Sequence, residues 1–280
     1  MKLYLVGAGG PIPTSRGFGS CFVLQLEDDF LMIDCGPSAT QKMVKIGLSP
    51  TQIDQLFFTH HHFDHNADYA CFLLTRWCHL ERSEQLLQVW GPAYTEQITD
   101  LLIGPQGAFS IDWKARLAEW STRQDDYSRR GPPAVEALDI GPGLILETND
   151  WRVTAARARH QEPELASLAY RFDSESGSVV FGGDTRPCPS VSELVSGADV
   201  LVISCWDLQE QVRRRPYPLV LSGTLEVATL AKEAGVKKLI IVHTHPRLLE
   251  PGHRESAIDE IGSVFDGEIV MGEELQIIQL

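Results

Sequence analysis

The sequence of 280 residues lacks paired cysteines. Its six cysteines include no Cys-x-x-Cys pair, and most of them lie within apolar segments such as LMIDCG and VLVISCW. This distribution argues against both a disulfide framework and a cysteine-ligated metal, and it indicates reduced cysteines in the protein core. We therefore expect a cytoplasmic protein whose cysteines have no catalytic role.

Basic residues are also scarce, because 24 lysines and arginines face 38 aspartates and glutamates, for a formal net charge of −14. Such an average field repels a phosphate backbone. The two dense basic runs, residues 129–130 and 213–215, have too few interleaved aromatic residues to form a base-stacking track. Nucleic acid is therefore disfavoured as a partner, and we expect a small-molecule ester as the substrate.

No apolar run is long enough to cross a membrane, and the apolar stretch in MKLYLVGAGG is too short for a signal peptide. We expect no membrane association. Hydrophobic residues make up 43% and charged residues 22% of the chain, as in ordinary globular proteins. There is no repeat of 20–50 residues. These observations favour one folded domain over residues 1–280.

The periodicity predicts two similar halves, each starting with strands and continuing into alternating helices and strands. The predicted strands are residues 2–6, 21–25, 30–34, 56–58, 86–90, 144–147, 153–158, 168–172, 179–181, 200–204, 239–242 and 268–271. The predicted helices are residues 40–46, 69–80 and 93–103. Residues 104–143 are less periodic and are bracketed by Gly-Pro pairs, so we expect an inserted arm or lid there. An amphipathic segment, residues 111–121, carries Trp113 and Trp120 in this arm.

The richest chemical signal is the segment Thr59-His-His-His-Phe-Asp-His65, which contains the pattern His-x-His-x-Asp-His and four of the nine histidines. At a strand end, His60 and His62 project to the same side, and the turn beyond them brings Asp64 and His65 to a second position. Zinc and similar metals take nitrogen and oxygen ligands of these types. The segment therefore predicts two neighbouring metal sites.

Three further candidates each follow a predicted strand: His160, Asp184 and His243. Taken singly, each is weak evidence, because a lone His160 is more often a surface histidine and a lone Asp184 more often a turn residue. Functional groups collect at the carboxyl ends of strands in layered α/β proteins, so the joint pattern places these three beside the histidine cluster.

These motifs, in this order, resemble the metallo-β-lactamase superfamily over nearly the whole chain. The resemblance rests on the strand before Asp34-Cys35-Gly36, the His-x-His-x-Asp-His pattern, His160, the run Gly182-Gly183-Asp184-Thr185, and His243. The opening run of residues 7–13, with Arg16 and Gly19-Ser20-Cys21, is similar to the ribonuclease Z and arylsulfatase-like branch. The fold implied is a four-layer αββα sandwich.

The resemblance also implies a division of the metal ligands. His60, His62 and His160 would bind one metal, Asp64, His65 and His243 the other, and Asp184 would bridge both. Asp64 and Asp34 are the expected catalytic residues, with Asp34 acting behind a metal-bound histidine to set its tautomer. Asp34 read on its own is also consistent with an ordinary turn residue at a strand end.

The implied activity is that of a binuclear hydrolase, in which a metal-bridging hydroxide attacks a phosphodiester or related small ester. Two divalent ions are expected, with zinc as the default and manganese or iron as alternatives. The resemblance further suggests a homodimer. An oxygen-reducing diiron protein is disfavoured, because that branch has a glutamate where this chain has His62.

Two positions depart from the ribonuclease Z pattern. Ser222 stands where those enzymes have a histidine thought to assist the leaving group, and a hydroxyl cannot act as an acid near neutral pH as imidazole can. His245 and His253 are the other histidines that could take this role. Phe63 stands where glycine is usual, which suits a smaller, partly apolar ester. Packing is the alternative role for Phe63, Trp113 and Trp120.

Three functions therefore remain open at this stage. The first is hydrolysis of a small phosphodiester or related ester. The second is processing of the 3′ ends of tRNA, as in ribonuclease Z. The third is a metal-binding protein of the same fold without catalytic activity.

Overall fold

A computed structural model describes residues 1–80, 85–215 and 220–280, whose strands form a pair of seven-stranded sheets. The first sheet has the order β14-β1-β2-β3-β4-β5-β6, with β1 (Lys2–Ala8), β2 (Ser20–Leu26), β3 (Asp29–Ile33), β4 (Ile53–Phe57), β5 (Leu87–Gly91), β6 (Val135–Asp139) and β14 (Gln276–Gln279). The second has the order β13-β12-β11-β10-β9-β8-β7, with β7 (Gly143–Glu147), β8 (Trp151–Arg157), β9 (Leu168–Ser174), β10 (Gly177–Phe181), β11 (Val200–Ser204), β12 (Lys238–Val242) and β13 (Glu268–Met271).

Both sheets follow the same plan, as the two similar halves of the sequence predicted. Each begins with antiparallel hairpins and continues in parallel strands, β3-β4-β5-β6 in the first sheet and β10-β11-β12-β13 in the second. Parallel strands need crossover connections, which the helices provide. They are α1 (Ala39–Lys45), α2 (Phe63–Asn66), α3 (Tyr69–His79), α4 (Thr95–Ile103), α5 (Ser110–Trp120), α6 (Pro189–Val195), α7 (Gln209–Arg213), α8 (Thr224–Ala234) and α9 (His253–Gly262).

Strand alternation sorts the apolar side chains into separate cores. Leu3 and Leu5 of β1 face the second sheet, where they join Phe172 and Phe181, whereas Tyr4 faces the outer helices. Helices α1, α3 and α4 cover the first sheet, and α6, α8 and α9 cover the second. Both faces of each sheet are thus buried, and the expected αββα sandwich is confirmed.

Residues 104–143, the range of the expected arm, include a strand that the sequence reading missed. This strand, β6, pairs in parallel with β5 at the edge of the first sheet, so that part of the range belongs to the sandwich. The second missed strand, β14, pairs with β1 at the opposite edge. Both strands carry polar residues on an exposed edge, which weakens the apolar pattern from which strands are predicted.

Trp113 and Trp120 on α5 are buried against Trp77 of α3, so they pack inside a small cluster of their own. Packing, the alternative named for them above, is what their burial supports. The inserted arm or lid expected over residues 104–143 remains a prediction.

The six cysteines are free, and four of them are buried as expected. Cys71 is exposed and Cys78 is half-buried, because both lie on α3 away from the face that contacts the sheet. Their expected place in the core is therefore corrected. Within the described ranges, no helix combines the length and the apolar character that crossing a membrane requires.

Candidate metal centre

Four strand ends bring the candidate ligands to one edge of the sandwich. His60 and His62 follow β4, His160 follows β8, Asp184 follows β10, and His243 follows β12. The short helix α2 then turns Asp64 and His65 back toward the same point. Because the ends belong to both sheets, the cluster forms only when the two halves of the chain pack together.

Three histidines converge on a first position. The distance from His62 Nδ1 to His60 Nε2 is 3.0 Å, and that from His62 Nδ1 to His160 Nε2 is 3.2 Å. Nitrogens bound tetrahedrally at about 2.0–2.1 Å from zinc lie roughly 3.3 Å apart. The three nitrogens therefore have the spacing of ligands to one ion.

A second group comprises Asp64, His65 and His243. Asp64 Oδ2 lies 3.0 Å from His243 Nε2 and 3.7 Å from His65 Nε2. In each of the two groups, the ligand atoms all lie within 4.8 Å of one another. The two groups together contain six of the seven expected ligands.

Asp184 lies between the two groups. Its Oδ2 is 3.8 Å from His160 Nε2 of the first group and 3.3 Å from His243 Nε2 of the second. Its Oδ1 is 3.9 Å from His65 Nε2. The seventh expected ligand thus has the position of a carboxylate shared by two ions.

Two atoms in this cluster test whether metals fit it. His65 Nε2 and Asp184 Oδ1 are buried and have no hydrogen-bond partner among the residues that the structure describes. Buried polar atoms are almost always satisfied, so unpartnered ones call for an explanation such as an ion. Imidazole nitrogens and carboxylate oxygens are the ligands that zinc, manganese and iron accept. The residues present therefore fit divalent metal ions.

Asp34 is almost fully buried and holds His65 in place. Its Oδ2 lies 2.7 Å from His65 Nδ1, and its Oδ1 accepts a hydrogen bond from the Thr59 backbone N–H at 2.7 Å. The Thr59 hydroxyl also donates to Oδ2 at 2.8 Å. Asp34 has a φ of 58°, a left-handed conformation uncommon for residues other than glycine. These contacts turn His65 Nε2 toward the cluster, which makes Asp34 a positioning residue.

The histidines of the cluster differ in pKa because their neighbours differ in charge. Burial and the neighbouring imidazoles lower the pKa of His60, so His60 is neutral and has a free lone pair. Burial opposes protonation of His65 as well, but the contact with Asp34 outweighs it and raises the pKa of His65 to about 9. Burial raises the pKa of Asp64, whereas its hydrogen bond with His243 lowers it, with a net value of about 2.

Two residues of the histidine segment point elsewhere. His61 Nε2 lies 2.8 Å from the Thr95 hydroxyl at the start of α4, and burial lowers the pKa of His61 to about 4. Phe63 is 56% exposed, and its ring contacts that of Phe18. Neither residue belongs to the ligand groups.

Ser222 does not offer a free hydroxyl at the position where ribonuclease Z has a histidine. It is buried, and its Oγ donates to the Thr185 carbonyl. The ring centroids of His245 and Trp206 are 5.4 Å apart, and those of Trp206 and His243 are 6.1 Å apart. His253 lies at the start of α9, and the structure shows no contact of its side chain with the cluster.

Sequence reasoning missed the surroundings of His243. Trp206 stands between His243 and His245, and the Arg215 guanidinium lies over its ring at 5.4 Å. Asp207 is fully buried and pairs with Arg247. The residues between β11 and α7 have no periodic pattern, so the one available signal was that Trp206 and Asp207 follow a parallel strand.

Fold and ligand geometry together define a metal-dependent hydrolase. The sequence profile described as "Metallo-beta-lactamase superfamily" matches residues 14–223, which is most of the chain. The chain belongs to the metallo-β-lactamase superfamily, and the family resemblance stated from the sequence is confirmed.

Curated relatives with similar sequences are named ribonuclease Z. The chain is 29% identical over 286 residues to the ribonuclease Z of Mycolicibacterium gilvum, with 100% of this chain and 96% of that protein covered. It is 26% identical to the ribonuclease Z of Mycobacterium marinum, with 100% and 99% covered.

Solved structures show the same fold at lower identity. The metallo-β-lactamase fold protein YhfI from Bacillus subtilis superposes with a TM-score of 0.75 at 20% identity, with 99% of this chain and 98% of that chain covered. The short form of human tRNase Z superposes with a TM-score of 0.70 at 18% identity, with 100% and 99% covered. Similarity at this level supports the fold, and the substrate has to be argued from the site.

Proposed function

We propose that this chain hydrolyses a small phosphodiester with two divalent ions held at the edge of the sandwich. The first ion would be held by His60, His62 and His160, the second by Asp64, His65 and His243, and Asp184 would contact both. The observation that carries this proposal is the carboxylate of Asp184, which lies 3.8 Å from a ligand atom of one group and 3.3 Å from a ligand atom of the other.

Divalent ions bound there would supply Lewis acidity and would lower the pKa of water, with zinc as the default metal. The protein orients the ligands. His160 Nδ1 lies 3.0 Å from the Val220 carbonyl, so this nitrogen donates and Nε2 has its lone pair free toward the cluster. Asp34 holds His65 through Nδ1 in the same way. Each contact fixes the orientation of a histidine ring before any ion binds.

The state of Ser222 favours substrates whose leaving group needs little protonation. An alkoxide leaving from ribose is strongly basic and normally requires a general acid, whereas a phenolate is much less basic. Because the Ser222 hydroxyl donates to a backbone carbonyl, it has no proton available for this step. We therefore propose a diester with a weakly basic leaving group as the preferred substrate.

Processing of precursor tRNA is the second candidate, and the curated relatives support it. Several proteins named ribonuclease Z align with 100% of this chain and with 96% or more of their own length. The net charge of −14 opposes it, since the average field of the molecule repels RNA.

The test is a metal analysis and a substrate panel with the purified protein. Bound metals are quantified, and bis-p-nitrophenyl phosphate, a sulfate ester, a lactone and a precursor tRNA are assayed. His62→Ala removes a ligand of the first group, and His79→Ala changes an exposed histidine of α3 as the matched control. About two metals per chain are expected, with diesterase activity that His62→Ala abolishes and His79→Ala leaves unchanged.

Three other results of this experiment would contradict the proposal, each in a different way. Cleavage of the precursor tRNA in preference to the small diester would favour the ribonuclease. Bound metal without turnover of any substrate would favour a non-catalytic metal-binding protein. Absence of bound metal would contradict the assignment of the ligands.

A further inference from the structure

An exposed aromatic ring lies beside the ligand groups without being needed by them. Phe63 sits between His62 and Asp64 in sequence, so its Cα is about 3.8 Å from the Cα of a residue in each group. Its side chain is 56% exposed, although a phenylalanine normally buries most of its surface. Of its two neighbours, His62 is half-buried and Asp64 is buried, whereas the Phe63 ring is largely exposed to solvent.

The ring of Phe63 is supported from one side. Phe18, in the loop between β1 and β2, lies against it with ring centroids 6.4 Å apart and an interplanar angle of 56°. This separation is within the range of favourable aromatic pairs. Phe63 stays 56% exposed despite this contact.

Phe18 is itself fastened to the sandwich. Its backbone N–H donates to Glu274 Oε2 at 3.1 Å, and its carbonyl accepts from Lys42 Nζ at 2.7 Å. Lys42 is buried and pairs with Glu274 at 2.6 Å. A support held by two backbone hydrogen bonds and an ion pair restricts the movement of Phe63 before a ligand arrives, which reduces the entropic cost of binding.

We infer that Phe63, backed by Phe18, is a stacking surface for a planar aromatic group of the substrate, either an aryl group or a nucleobase. The inference rests on the proposed phosphodiesterase function and names the class of ester that the site selects. Phe63 is thus a specificity-determining residue, and the ligand groups would bind the phosphate of any diester.

The experiment compares binding of two diesters that differ in their aromatic groups. Dissociation constants of diphenyl phosphate and diethyl phosphate are measured by calorimetry with the metal-loaded protein. Phe63→Ala is expected to weaken binding of diphenyl phosphate about fivefold to 150-fold. Binding of diethyl phosphate is expected to change less than about twofold, because that diester has no ring to stack.

Two further variants separate stacking from general disturbance. Phe63→Trp restores an aromatic face and is expected to bind diphenyl phosphate about as well as the parent protein. Phe109→Ala removes another exposed phenylalanine, 42% exposed at the start of α5, and is expected to change neither constant. Equal weakening of both diesters by Phe63→Ala, or no weakening of either, would overturn the inference.

A dinucleotide diester distinguishes the two sources of the aromatic group. Weaker binding of thymidylyl-thymidine to Phe63→Ala would assign the surface to nucleobases as well as aryl groups. Unchanged binding of the dinucleotide would restrict it to aryl esters. The comparison reports binding and does not require turnover, so a parent protein that hydrolyses no diester would refute the proposed function and leave the comparison intact.

Discussion

Asp34 shows how one buried carboxylate prepares a metal ligand. It is 1% exposed, contacts His65 Nδ1 at 2.7 Å and receives both hydrogen-bond donors of Thr59. A carboxylate behind a histidine ligand sets the ring tautomer and increases its basicity, and losing it typically lowers metal affinity about 10–100-fold. We therefore expect Asp34 to contribute to metal binding by positioning His65.

We predict that Asp34→Asn lowers zinc affinity by about 10–100-fold, because the amide cannot provide the negative charge behind His65. Competition with a fluorescent chelator measures this change, and excess zinc should restore activity. Asp173→Asn on β9, which alters a carboxylate that pairs with Arg171, is the control. Unchanged zinc affinity in Asp34→Asn would refute the positioning role.

Gly10 lies against the ring of His243 with no room for a side chain. A Cβ built at this position would come within 2.9 Å of His243 Cε1, closer than real carbon atoms approach. His243 has a φ of 52°, and its backbone N–H donates to the Ala8 carbonyl at 2.8 Å. The loop after β1 and the end of β12 thus position this histidine jointly.

We predict that Gly10→Ala reduces diesterase activity at least about tenfold, since a displacement of about 1 Å at a reacting site can cost a hundredfold. Kinetic assays measure the effect, and circular dichroism verifies the fold. Gly141→Ala is the control, because a Cβ there meets nothing within 4 Å. Equal activity in both variants would show that His243 shifts without consequence.

At the scale of elements, the strands that deliver ligands are joined by polar contacts at their opposite ends. Asp199, just before β11, accepts hydrogen bonds from the backbone N–H of Ser178 at 2.9 Å and from its hydroxyl at 3.0 Å. Lys237 Nζ, just before β12, lies 2.6 Å from the same carboxylate. Asp199 therefore links β10, β11 and β12 away from the metal centre.

This contact gives a pH-dependent contribution to the free energy of unfolding. The hydrogen bond from Lys237 holds the pKa of Asp199 below its usual value of 3.8. A carboxyl whose pKa is lower in the folded protein stabilises it above the unfolded value and loses this effect as the pH falls through the folded value. The effect is small because the pair is partly exposed.

We predict that Asp199→Asn lowers the free energy of unfolding by about 1 kcal/mol or less at pH 7. The difference from the parent protein should shrink as the pH falls below about 4, where Asp199 becomes protonated. Thermal unfolding from pH 7 to pH 3 measures the difference. Asp150→Asn, in the turn before β8, is the control, and a difference that grows at low pH would contradict the assignment.

At the scale of the whole molecule, the metal centre joins the two halves of the chain. His62 and His160 are 98 residues apart and Asp64 and His243 are 179 residues apart, yet each pair has atoms within about 3 Å. Ions that bind this cluster bind the folded chain and not the unfolded one, so they stabilise the packing of both sheets.

We predict that chelation of the metals lowers Tm by roughly 5–15 °C, from about 4 kcal/mol of binding linkage and the size of the domain. Differential scanning calorimetry with and without a chelator measures the shift. Re-addition of zinc should reverse it, and His62→Ala should show a smaller shift. A Tm independent of chelator and zinc would indicate that no ion contributes to the fold.

The sequence by itself determined the candidate ligand set and the four-layer class of the fold. His60, His62, Asp64 and His65 were identifiable because neighbouring residues on a strand end and a turn share a local geometry. The strands could be predicted because their apolar runs have a local period. His160, Asp184 and His243 became convincing only jointly, since each follows a strand.

Only the tertiary structure showed which residues far apart in the sequence contact each other. The hydrogen bond from the Ser222 hydroxyl to the Thr185 carbonyl joins residues that are 37 positions apart in the sequence. The contact between Phe63 and Phe18 depends on the position of the loop between β1 and β2. The edge strand β6 was missed, and the choice between a lid and packing for Trp113 and Trp120 needed the structure. Local periodicity reports which face of an element is apolar, whereas the order of strands in a sheet sets which faces and ends come together.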